Sequence, residues 1–321
     1  MSTQYFAKLS IIIVNWNTGQ QLKNCLESIA KAKKDNFELV KVIVVDNASS
    51  DDSISKIDGI IDFHLEIINN SENRGFAAAC NQGTKNIYDD YLLFLNPDTI
   101  LSEDSLLKSV AFLEKKNNEN VGIVGIQLTD VKNKIQRTCA RFPTSLRFIN
   151  KIFGIDILLP NKGVHMNDWD HNNDSIVDHV MGAFFLVRRK LFTKLNGFDE
   201  LFFVYLEDVD FSYRASQEGY SSYYLTSTSA YHKGGGSSEK VKDVRLFYSL
   251  RSKILYGYKH FNFFSATLLA FLTLIIEPVT RIIFSLIKKS IPDVMETLKA
   301  YKLLWCFVIK ITLKKLGKKF K

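Results

Sequence analysis

Short apolar runs alternate with segments that repeat apolar residues at helical spacing along the first hundred residues of the chain. The runs that predict strands are residues 9–14, 42–45, 65–68 and 91–95. Helical spacing follows the first run through Leu22, Cys25, Leu26 and Ile29, and a second helical pattern begins near Phe76. Strands that alternate with helices predict an α/β fold built on a parallel sheet.

Polar residues stand where three of the predicted strands end. Asn15 follows the first run, Asp46 the second, and Asp98 the run at 91–95. In open parallel sheets, ligands bind beyond the carboxyl ends of the strands. We therefore expect these three residues to meet in one crevice.

The pattern is less regular in the second half of the chain. The sequence of residues 129–178 predicts a mobile connection and gives no indication of its function. Regular structure resumes with a strand at 183–187 and a helix at 207–217, and a strand at 223–225 then leads to His232.

The C-terminal part of the chain is apolar and amphipathic. Residues 261–276 hold no charge, but these sixteen residues fall short of the roughly 20 that a bilayer-spanning helix needs. The polar positions that follow share one helical face: Thr273, Glu277, Thr280, Arg281, Ser285 and Lys288. This pattern predicts a helix at a membrane interface, kinked at Pro278, and a second helix from Ser290 past Trp305. A packed hairpin over the core, or a dimer contact, is the alternative.

The distribution of charge supports a membrane role for this part. Residues 259–321 hold 12 Lys and Arg against 3 Asp and Glu, whereas residues 1–258 hold 30 against 31. A basic excess confined to an apolar segment favours anionic lipid over nucleic acid. We expect one domain over 1–258 and a membrane-associating or oligomer-forming helical segment over 259–321.

The cysteines and the N-terminus indicate the compartment. Cys25, Cys80, Cys139 and Cys306 show no paired spacing, which argues against a disulfide framework or a zinc knuckle. The first sixteen residues lack the anatomy of a signal peptide. Both observations favour a reducing, cytoplasmic setting.

Two acidic segments carry candidate chemistry. Asn96-Pro97-Asp98 delivers a carboxylate at a strand end, where Mg²⁺ or Mn²⁺ could bridge it to a diphosphate, although the tripeptide is also a good turn sequence. Glu207-Asp208-Val209-Asp210 begins a predicted helix. Three interpretations are open: the acids simply cap the helix, Asp208 is a general base, or two of the acids are the carboxylate pair of a glycosidase.

His232 adds a third candidate. It precedes the glycine-rich residues 233–238, a loop that could close over phosphate oxygens. A single histidine is usually structural, but a neutral imidazole could complete a metal site begun by Asp98.

In order, these segments resemble the family 2 glycosyltransferases of the GT-A fold, a Rossmann-like, mostly parallel sheet flanked by helices. The segments are SIIIVNWN, VIVVDNASSDDS, NRGFAAACNQG, LLFLNPDT, GAFFLVRR with GFDELFFVYLEDVDFSYR, and YHKGGGS. Within the family they are most similar to the bacterial rhamnosyltransferase-like branch, which builds cell-surface polysaccharides.

The resemblance implies a role for each matching residue. It implies that Asp46 contacts the pyrimidine base of the donor nucleotide. The other donor-nucleotide contacts that it implies are Asn15, Asn17, Asn47, Arg74, Gly75, Asn81 and Asn96. Asp98 and His232 would bind Mg²⁺ or Mn²⁺, Asp208 would be the catalytic base, and Glu207 and Arg214 would shape the acceptor side. Asn96 stands where the family's metal motif has its first acid, so the metal is expected to arrive with the nucleotide.

The activity implied is metal-assisted single displacement with inversion, with dTDP-L-rhamnose as the donor and a lipid-linked or cell-surface glycan as the acceptor. A UDP-hexose is the alternative donor, because thymine and uracil present the same N3–H and carbonyl groups to Asp46. A catalytically silent membrane scaffold is the alternative from another class. The expected location is the cytoplasmic face of the bacterial cell membrane, as a peripheral protein, with a homo-oligomer left open.

Overall fold

The computed structural model describes residues 6–57, 63–234 and 241–319, with side chains through residue 311. Within these residues the chain forms two compact units. The sheet unit takes those within Met1–Phe142, His165–Phe203 and Glu207–Ser237, and the helical unit takes those within Pro143–Val164, Val204–Leu206 and Ser238–Lys321. The helical unit thus includes segments well before residue 259, so the functional boundary predicted there does not coincide with a boundary of compactness.

The strands that the structure describes join one nine-stranded sheet. In chain order they are β1 (Ala7–Asn15), β2 (Phe37–Asp46), β3 (Leu65–Asn69), β4 (Tyr91–Leu95), β5 (Thr99–Leu101), β6 (Val121–Thr129), β7 (Ser175–Val177), β8 (Phe184–Arg188) and β9 (Ser221–His232). Their spatial order is β3-β2-β1-β4-β8-β6-β9-β5, with β7 paired to β9. The first four of that order are parallel, as predicted. The remaining strands mix both directions.

The described residues also form eleven α-helices, numbered in chain order. They are α1 (Gln20–Lys31), α2 (Phe76–Gly83), α3 (Ser105–Leu113), α4 (Ser145–Ile152), α5 (Ile155–Leu158), α6 (Arg189–Lys194), α7 (Glu207–Gln217), α8 (Lys242–His260), α9 (Phe263–Phe271), α10 (Glu277–Ile287) and α11 (Ile291–Lys319). The segment 129–178 is more regular than its sequence pattern predicts, because α4, α5 and β7 all lie within it.

The sheet is covered on both faces. Ile11 and Ile13 of β1 belong to one buried cluster and Ile12 and Val14 to the other, because successive side chains of a strand point to opposite faces. The first cluster packs against α1 and the second against α2. Burial on both faces explains why the central strands read as continuous apolar runs instead of alternating ones.

The register of the sheet brings the polar strand ends together. Asn15 pairs with Asp46, and Asp46 pairs in turn with Asn69. In the mixed part of the sheet, Thr99 of β5 pairs with His232 of β9. Because Asp98 immediately precedes β5, this pairing brings it next to His232.

Along α9, α10 and the turn between them, several polar residues lie inside the helical unit and several large apolar residues lie outside. Thr273, Glu277 and Ser285 are buried, whereas Phe263 is 80% and Phe271 is 53% exposed. The polar face was predicted to meet water or headgroups, and this orientation is wrong. It faces the interior of the unit, where Lys253 of α8 and Arg281 both donate to the Glu277 carboxylate.

The helix at the start of this segment is longer than its uncharged stretch. Phe263–Ile287 is one helical run of 25 residues, and by length and composition alone it could cross a membrane, as no other helix of the described chain could. A π-helical turn at Leu272–Ile276 lies just before Pro278, where the sequence predicts a kink. Proline has no N–H for the carbonyl four residues earlier, and the indole N–H of Trp305 donates to that Leu274 oxygen instead, at 3.1 Å.

Candidate active site

A buried polar cluster stands at the ends of β1 and β2. The Asn15 side-chain amide donates to Asp46 Oδ1 at 2.7 Å, to Ser53 Oγ at 2.8 Å and to Ser49 Oγ at 3.1 Å. The other carboxylate oxygen of Asp46 accepts the Ser49 N–H. Asn17, with a φ of 53°, accepts the Ser50 N–H at 2.7 Å. These bonds fix the Asp46 carboxylate at the end of its strand.

Asn47 organises the next loop through its side chain. Its amide donates to Asn73 Oδ1 at 2.9 Å and to the Gly75 carbonyl at 3.2 Å, and its oxygen accepts the Arg74 N–H at 3.0 Å. Gly75 has a φ of 87°, and a Cβ on it would lie 2.5 Å from the Phe203 carbonyl oxygen. A residue larger than glycine is therefore excluded here on two grounds.

Asn81 makes a different set of contacts from those that its predicted donor role implies. Its amide donates to the Phe198 carbonyl at 2.8 Å and to Glu200 Oε1 at 3.0 Å, and its oxygen accepts the Phe198 N–H. These bonds hold the turn between α6 and α7 against α2. Asn96 contributes backbone bonds, since its N–H donates to Ala183 and its carbonyl accepts the Thr99 N–H. That Asn81 and Asn96 contact the donor nucleotide remains a prediction.

Asp98 and His232 form a buried pair. His232 Nε2 lies 3.5 Å from Asp98 Oδ1, and both side chains are 8% exposed. Gln136 holds the imidazole from behind: its oxygen lies 3.0 Å from His232 Nδ1 while its amide donates to the His232 carbonyl at 2.7 Å. Since a carbonyl oxygen only accepts, Nδ1 donates to it, and in a neutral ring Nε2 is then the unprotonated nitrogen that faces Asp98.

This arrangement fits a divalent cation as a partial ligand set. A neutral imidazole nitrogen and a carboxylate oxygen converge, and the Gln136 bond fixes the histidine tautomer as outer ligands of metal sites do. Burial, and then the charge of Asp98, raise the pKa of the Cys25 thiol, which therefore stays protonated and is a poor ligand. No group of three His, Cys, Asp or Glu side chains suited to a metal occurs in the described ranges. Residues 235–238 of the predicted phosphate loop lie outside those ranges.

Asp208 is held at the first turn of α7 by backbone donors. Its Oδ1 accepts the Val209 N–H at 2.8 Å, its Oδ2 accepts the Gly182 N–H at 3.0 Å, and His179 Nε2 lies 3.5 Å from Oδ2. Burial works to raise the pKa of this carboxyl, but His179 and the two N–H groups outweigh it and lower the pKa. The side chain keeps 18% exposure. Asp208 is thus an ionised and partly accessible carboxylate.

The neighbouring residues of α7 have other environments. Burial first, and the Asp208 charge second, raise the pKa of Glu207 well above its usual value, and its Oε2 has no hydrogen-bond partner among the described residues. Arg214 donates to Asp210 and to the carbonyls of Leu195 and Gly197. Arg214 therefore holds the turn before α7, and an acceptor contact by either residue remains a prediction.

Sequence reasoning missed several residues of this site. Gln136 and His179 lie in or beside the segment 129–178, and Ser49 and Ser53 are small polar residues of a loop. Ser49 and Ser53 belong to the segment VIVVDNASSDDS, so that motif is the signal that could have identified them. Gln136 and His179 stand in no such pattern, and each becomes part of the site only when the sheet brings distant segments together.

Comparison with known proteins shows the family to which the chain is similar. The family model described as Glycosyl transferase family 2 matches residues 10–195. The chain is 32% identical over 146 residues to rhamnosyltransferase WbbL of Escherichia coli K12, which covers 45% of this chain and 52% of that protein. It is 23% identical over 249 residues to N-acetylglucosaminyl-diphospho-decaprenol L-rhamnosyltransferase of Mycobacterium tuberculosis, covering 70% of this chain and 75% of that protein. The aligned part thus spans about half of the first relative.

A solved structure supports the fold. The chain is similar to the mannosyltransferase PcManGT from Pyrobaculum calidifontis, solved in complex with GDP-Man and Mn²⁺, with a TM-score of 0.52 and 16% identity. That match covers 99% of this chain and 84% of the other. The sheet and its helices therefore have the GT-A architecture that the motifs implied. With more than half of its length matched by the family model, the chain belongs to glycosyl transferase family 2.

Proposed function

We propose that this protein is an inverting glycosyltransferase that moves a sugar from a pyrimidine nucleotide to a lipid-linked glycan acceptor. The observation that carries the proposal is Asp208: an ionised carboxylate with a lowered pKa, held by two N–H donors and partly open to solvent. A general base needs a fixed, ionised and reachable side chain, and Asp208 meets these three conditions.

In this mechanism Asp208 takes the proton from an acceptor hydroxyl. The hydroxyl oxygen attacks the anomeric carbon from the face opposite to the leaving nucleotide, which inverts that carbon. Asp208 is the assigned base because Glu207 beside it is buried and has a raised pKa, which favours its protonated form. The two adjacent acids differ in role because they differ in environment, which also argues against a carboxylate pair of the glycosidase type.

Asp98 and His232 are the proposed ligands of Mg²⁺ or Mn²⁺. Such a cation neutralises the negative charge of the departing diphosphate when it is bound. The protein supplies one carboxylate and one imidazole, so donor phosphates and water are left to complete the coordination. This sparse ligand set supports the expectation that the metal binds together with the nucleotide.

The cluster around Asp46 is the proposed nucleoside site. Asn15 and Ser49 hold the Asp46 carboxylate in place, and Asn47 orders the Arg74-Gly75 turn beside it. A carboxylate fixed in this way suits the N3–H of a pyrimidine. We favour dTDP-L-rhamnose as the donor because two of the similar proteins are named rhamnosyltransferases, with a UDP-hexose as the alternative.

The helical unit supports a lipid-linked acceptor and a position on the cytoplasmic face of the cell membrane. Its long helix exposes apolar side chains from Phe263 to Ile287 while its carboxylate is paired inside the unit. Exposed contiguous apolar surface of this kind marks contact with a membrane or another protein. Basic residues of α11, from Lys299 to Lys319, favour anionic lipid as that contact. A homo-oligomer formed through the same face is the competing outcome.

Asp208→Asn tests the proposed function. We expect release of nucleoside diphosphate from dTDP-rhamnose or UDP-hexoses, with Mn²⁺ and a bacterial lipid extract as the acceptor source, to fall about 10²–10⁴-fold. Thermal stabilisation by the donor should persist, because the nucleoside site is intact. Asp170→Asn, which removes an exposed carboxylate of the same unit, is the matched control. Near-normal turnover by Asp208→Asn would refute the base assignment, and a wild-type protein that releases no diphosphate from any donor would indicate a scaffold.

A further inference from the structure

Arg74 carries a positive charge that no acid of the described ranges neutralises. Its side chain is exposed in the loop that Asn47 holds, and within those ranges it forms no salt bridge. By contrast, Arg214 of the same unit pairs with Asp210 at 2.8 Å. Arg74 Nη1 donates instead to Gln82 Oε1 at 3.3 Å. The guanidinium is thus held by an amide, which restrains it and leaves its charge uncancelled.

A closed ring of hydrogen bonds joins Arg74 to the end of β2. Gln82 Nε2 donates to Asn70 Oδ1 at 2.9 Å, and Asn70 Nδ2 donates to Asn47 Oδ1 at 3.2 Å. The same Asn47 oxygen accepts the Arg74 N–H at 3.0 Å, which closes the ring. Asn70 also donates its backbone N–H to the Asp46 carbonyl at 2.9 Å. Three amide side chains therefore tie the guanidinium to the strand end that carries Asp46.

The guanidinium determines the orientation of each amide in the ring. It can only donate, so Gln82 must turn its oxygen toward Arg74 and its amide nitrogen toward Asn70. Asn70 must then accept through its oxygen and donate through its nitrogen to Asn47. Asn47 Oδ1 is thereby also the acceptor of the Arg74 N–H. One orientation of each amide satisfies all four bonds, which favours one position of the arginine side chain.

We propose that Asn70 and Gln82 are positioning residues that orient the Arg74 guanidinium toward the diphosphate of the donor nucleotide. This inference rests on the proposed nucleoside site around Asp46. A guanidinium has five N–H donors and the bond to Gln82 uses one of them, so others can bind phosphate oxygens. An arginine without an acid partner favours the charged diphosphate over the neutral pyrimidine. The ring fixes the side chain before the donor binds, which lowers the entropy that binding costs.

An amide at position 82 differs from a carboxylate in what it leaves for the donor. A glutamate would also accept from Arg74, but its negative charge would cancel the charge that attracts a diphosphate. It would also turn an oxygen toward Asn70 Oδ1, where the amide nitrogen of Gln82 now donates. The glutamine therefore restrains the arginine without competing with its ligand.

Nucleotide binding by the full chain tests the inference. Titration calorimetry with UDP or dTDP and Mn²⁺ should show about 10–100-fold weaker binding for Arg74→Ala and about 3–10-fold weaker binding for Gln82→Met, because hydrogen bonds to charged groups contribute more than neutral ones. Gln82→Met in the Arg74→Ala background should cause no further loss, since a positioning residue acts only through the group that it positions. The same loss in both backgrounds would overturn the proposal.

Two further measurements distinguish positioning from a purely structural role. Gln82→Glu keeps an acceptor for Arg74, so it would restore UDP binding if residue 82 only held the arginine in place. We expect instead that it weakens UDP binding at least as much as Gln82→Met does. Uridine, which has no phosphate, should inhibit wild type and Gln82→Met equally. Restored binding by Gln82→Glu, or equal losses for uridine and UDP, would overturn the proposal.

Gln217→Met is the matched control, because Gln217 is an exposed glutamine of α7 in the same unit. Its affinity for UDP and its thermal unfolding should equal those of the wild type, and thermal unfolding without nucleotide shows whether the Gln82 variants are folded. A wild-type protein that binds neither nucleotide would reject the proposed function and this inference with it. Nucleotide binding by the wild type with additive losses in the double variant would reject the inference alone.

Discussion

The sheet unit and the long helix Phe263–Ile287 of the helical unit distribute polar and apolar residues in opposite ways. In the sheet unit, Ile11 and Leu93 are fully buried and the ionisable side chains of the site stand at strand ends and at the start of α7. In the helical unit, Glu277 is buried with Lys253 and Arg281 as partners, while Phe263 and Phe264 are 80% and 77% exposed. The sheet unit thus keeps its apolar side chains inside, as a domain in contact with water does. The long helix of the helical unit turns apolar side chains outward and keeps its carboxylate paired inside the unit.

This contrast changes the meaning of the C-terminal charge pattern. In an interfacial helix, the polar face meets headgroups and the Lys and Arg residues provide the attraction. Here Glu277, on the polar face of Phe263–Ile287, is paired inside the unit with Lys253 of α8. The attraction to a bilayer is then expected to come mainly from apolar side chains, with the basic residues of α11 adding to it.

The largest effect that we expect concerns the outward apolar face. Phe263→Ser with Phe264→Ser should weaken binding to phosphatidylglycerol vesicles by roughly 3–6 kcal/mol, because each buried Phe contributes roughly 1.5–3 kcal/mol. Vesicle flotation at low and high salt measures the binding. High salt screens the basic residues, so the binding that the wild type keeps at high salt comes from apolar side chains, and the double variant should lose it. Tyr88→Ser, at an 80% exposed site of the sheet unit, is the control. Equal binding by the double variant and the wild type would contradict the contrast, and a change of oligomeric state would assign the face to a protein contact.

The next effect concerns the buried ions of the helical unit. Glu277→Ala leaves Lys253 and Arg281 without their shared carboxylate, which should lower the free energy of unfolding by about 3–5 kcal/mol. Urea denaturation in mild detergent, followed by circular dichroism, measures the loss. Glu277→Leu combined with Lys253→Met removes both buried charges and should be less destabilising than the single change. If the single variant is the milder one, the ion cluster is not what stabilises the inward polar face.

A smaller effect is expected from the sheet unit, where polar groups serve the site. Gln136→Leu removes the acceptor that holds the His232 tautomer and should weaken Mn²⁺ binding about 10–100-fold, as loss of outer partners of metal ligands does. Titration calorimetry with Mn²⁺ in the presence of UDP or dTDP measures the change. Gln20→Leu, an exposed glutamine of α1, is the control. Unchanged Mn²⁺ affinity would mean that His232 is not a ligand.

The smallest effect concerns the π-helical turn. Trp305→Phe removes the N–H that donates to the Leu274 carbonyl and should lower the free energy of unfolding by about 1 kcal/mol. The same denaturation experiment measures it, and Trp169→Phe in the sheet unit serves as a comparison. A loss of several kcal/mol would mean that Trp305 contributes mainly by packing.

Much of the fold could be predicted because burial leaves a periodic trace in the sequence. The parallel half of the sheet, α1, α2, α7 and the start of α11 follow from apolar runs, helical spacing and the proline near Ser290. The strand β5 could not be predicted, because three residues after a turn carry no period. The direction of the strands from β8 onward could not be predicted either, since it depends on connections through the irregular segment 129–178.

By itself the sequence determined the acids, amides and histidine that can do chemistry and the strand ends that carry Asn15, Asp46 and Asp98. It also determined the family, because the order and spacing of the motifs are specific together. The tertiary structure alone decided which residues become partners: Gln136 behind His232, His179 behind Asp208, and Lys253 beside Glu277. It also decided that the polar face of the long helix points inward. Partnership depends on which distant segments pack together, whereas the helical period shows that a helix has two faces but not which of them is covered.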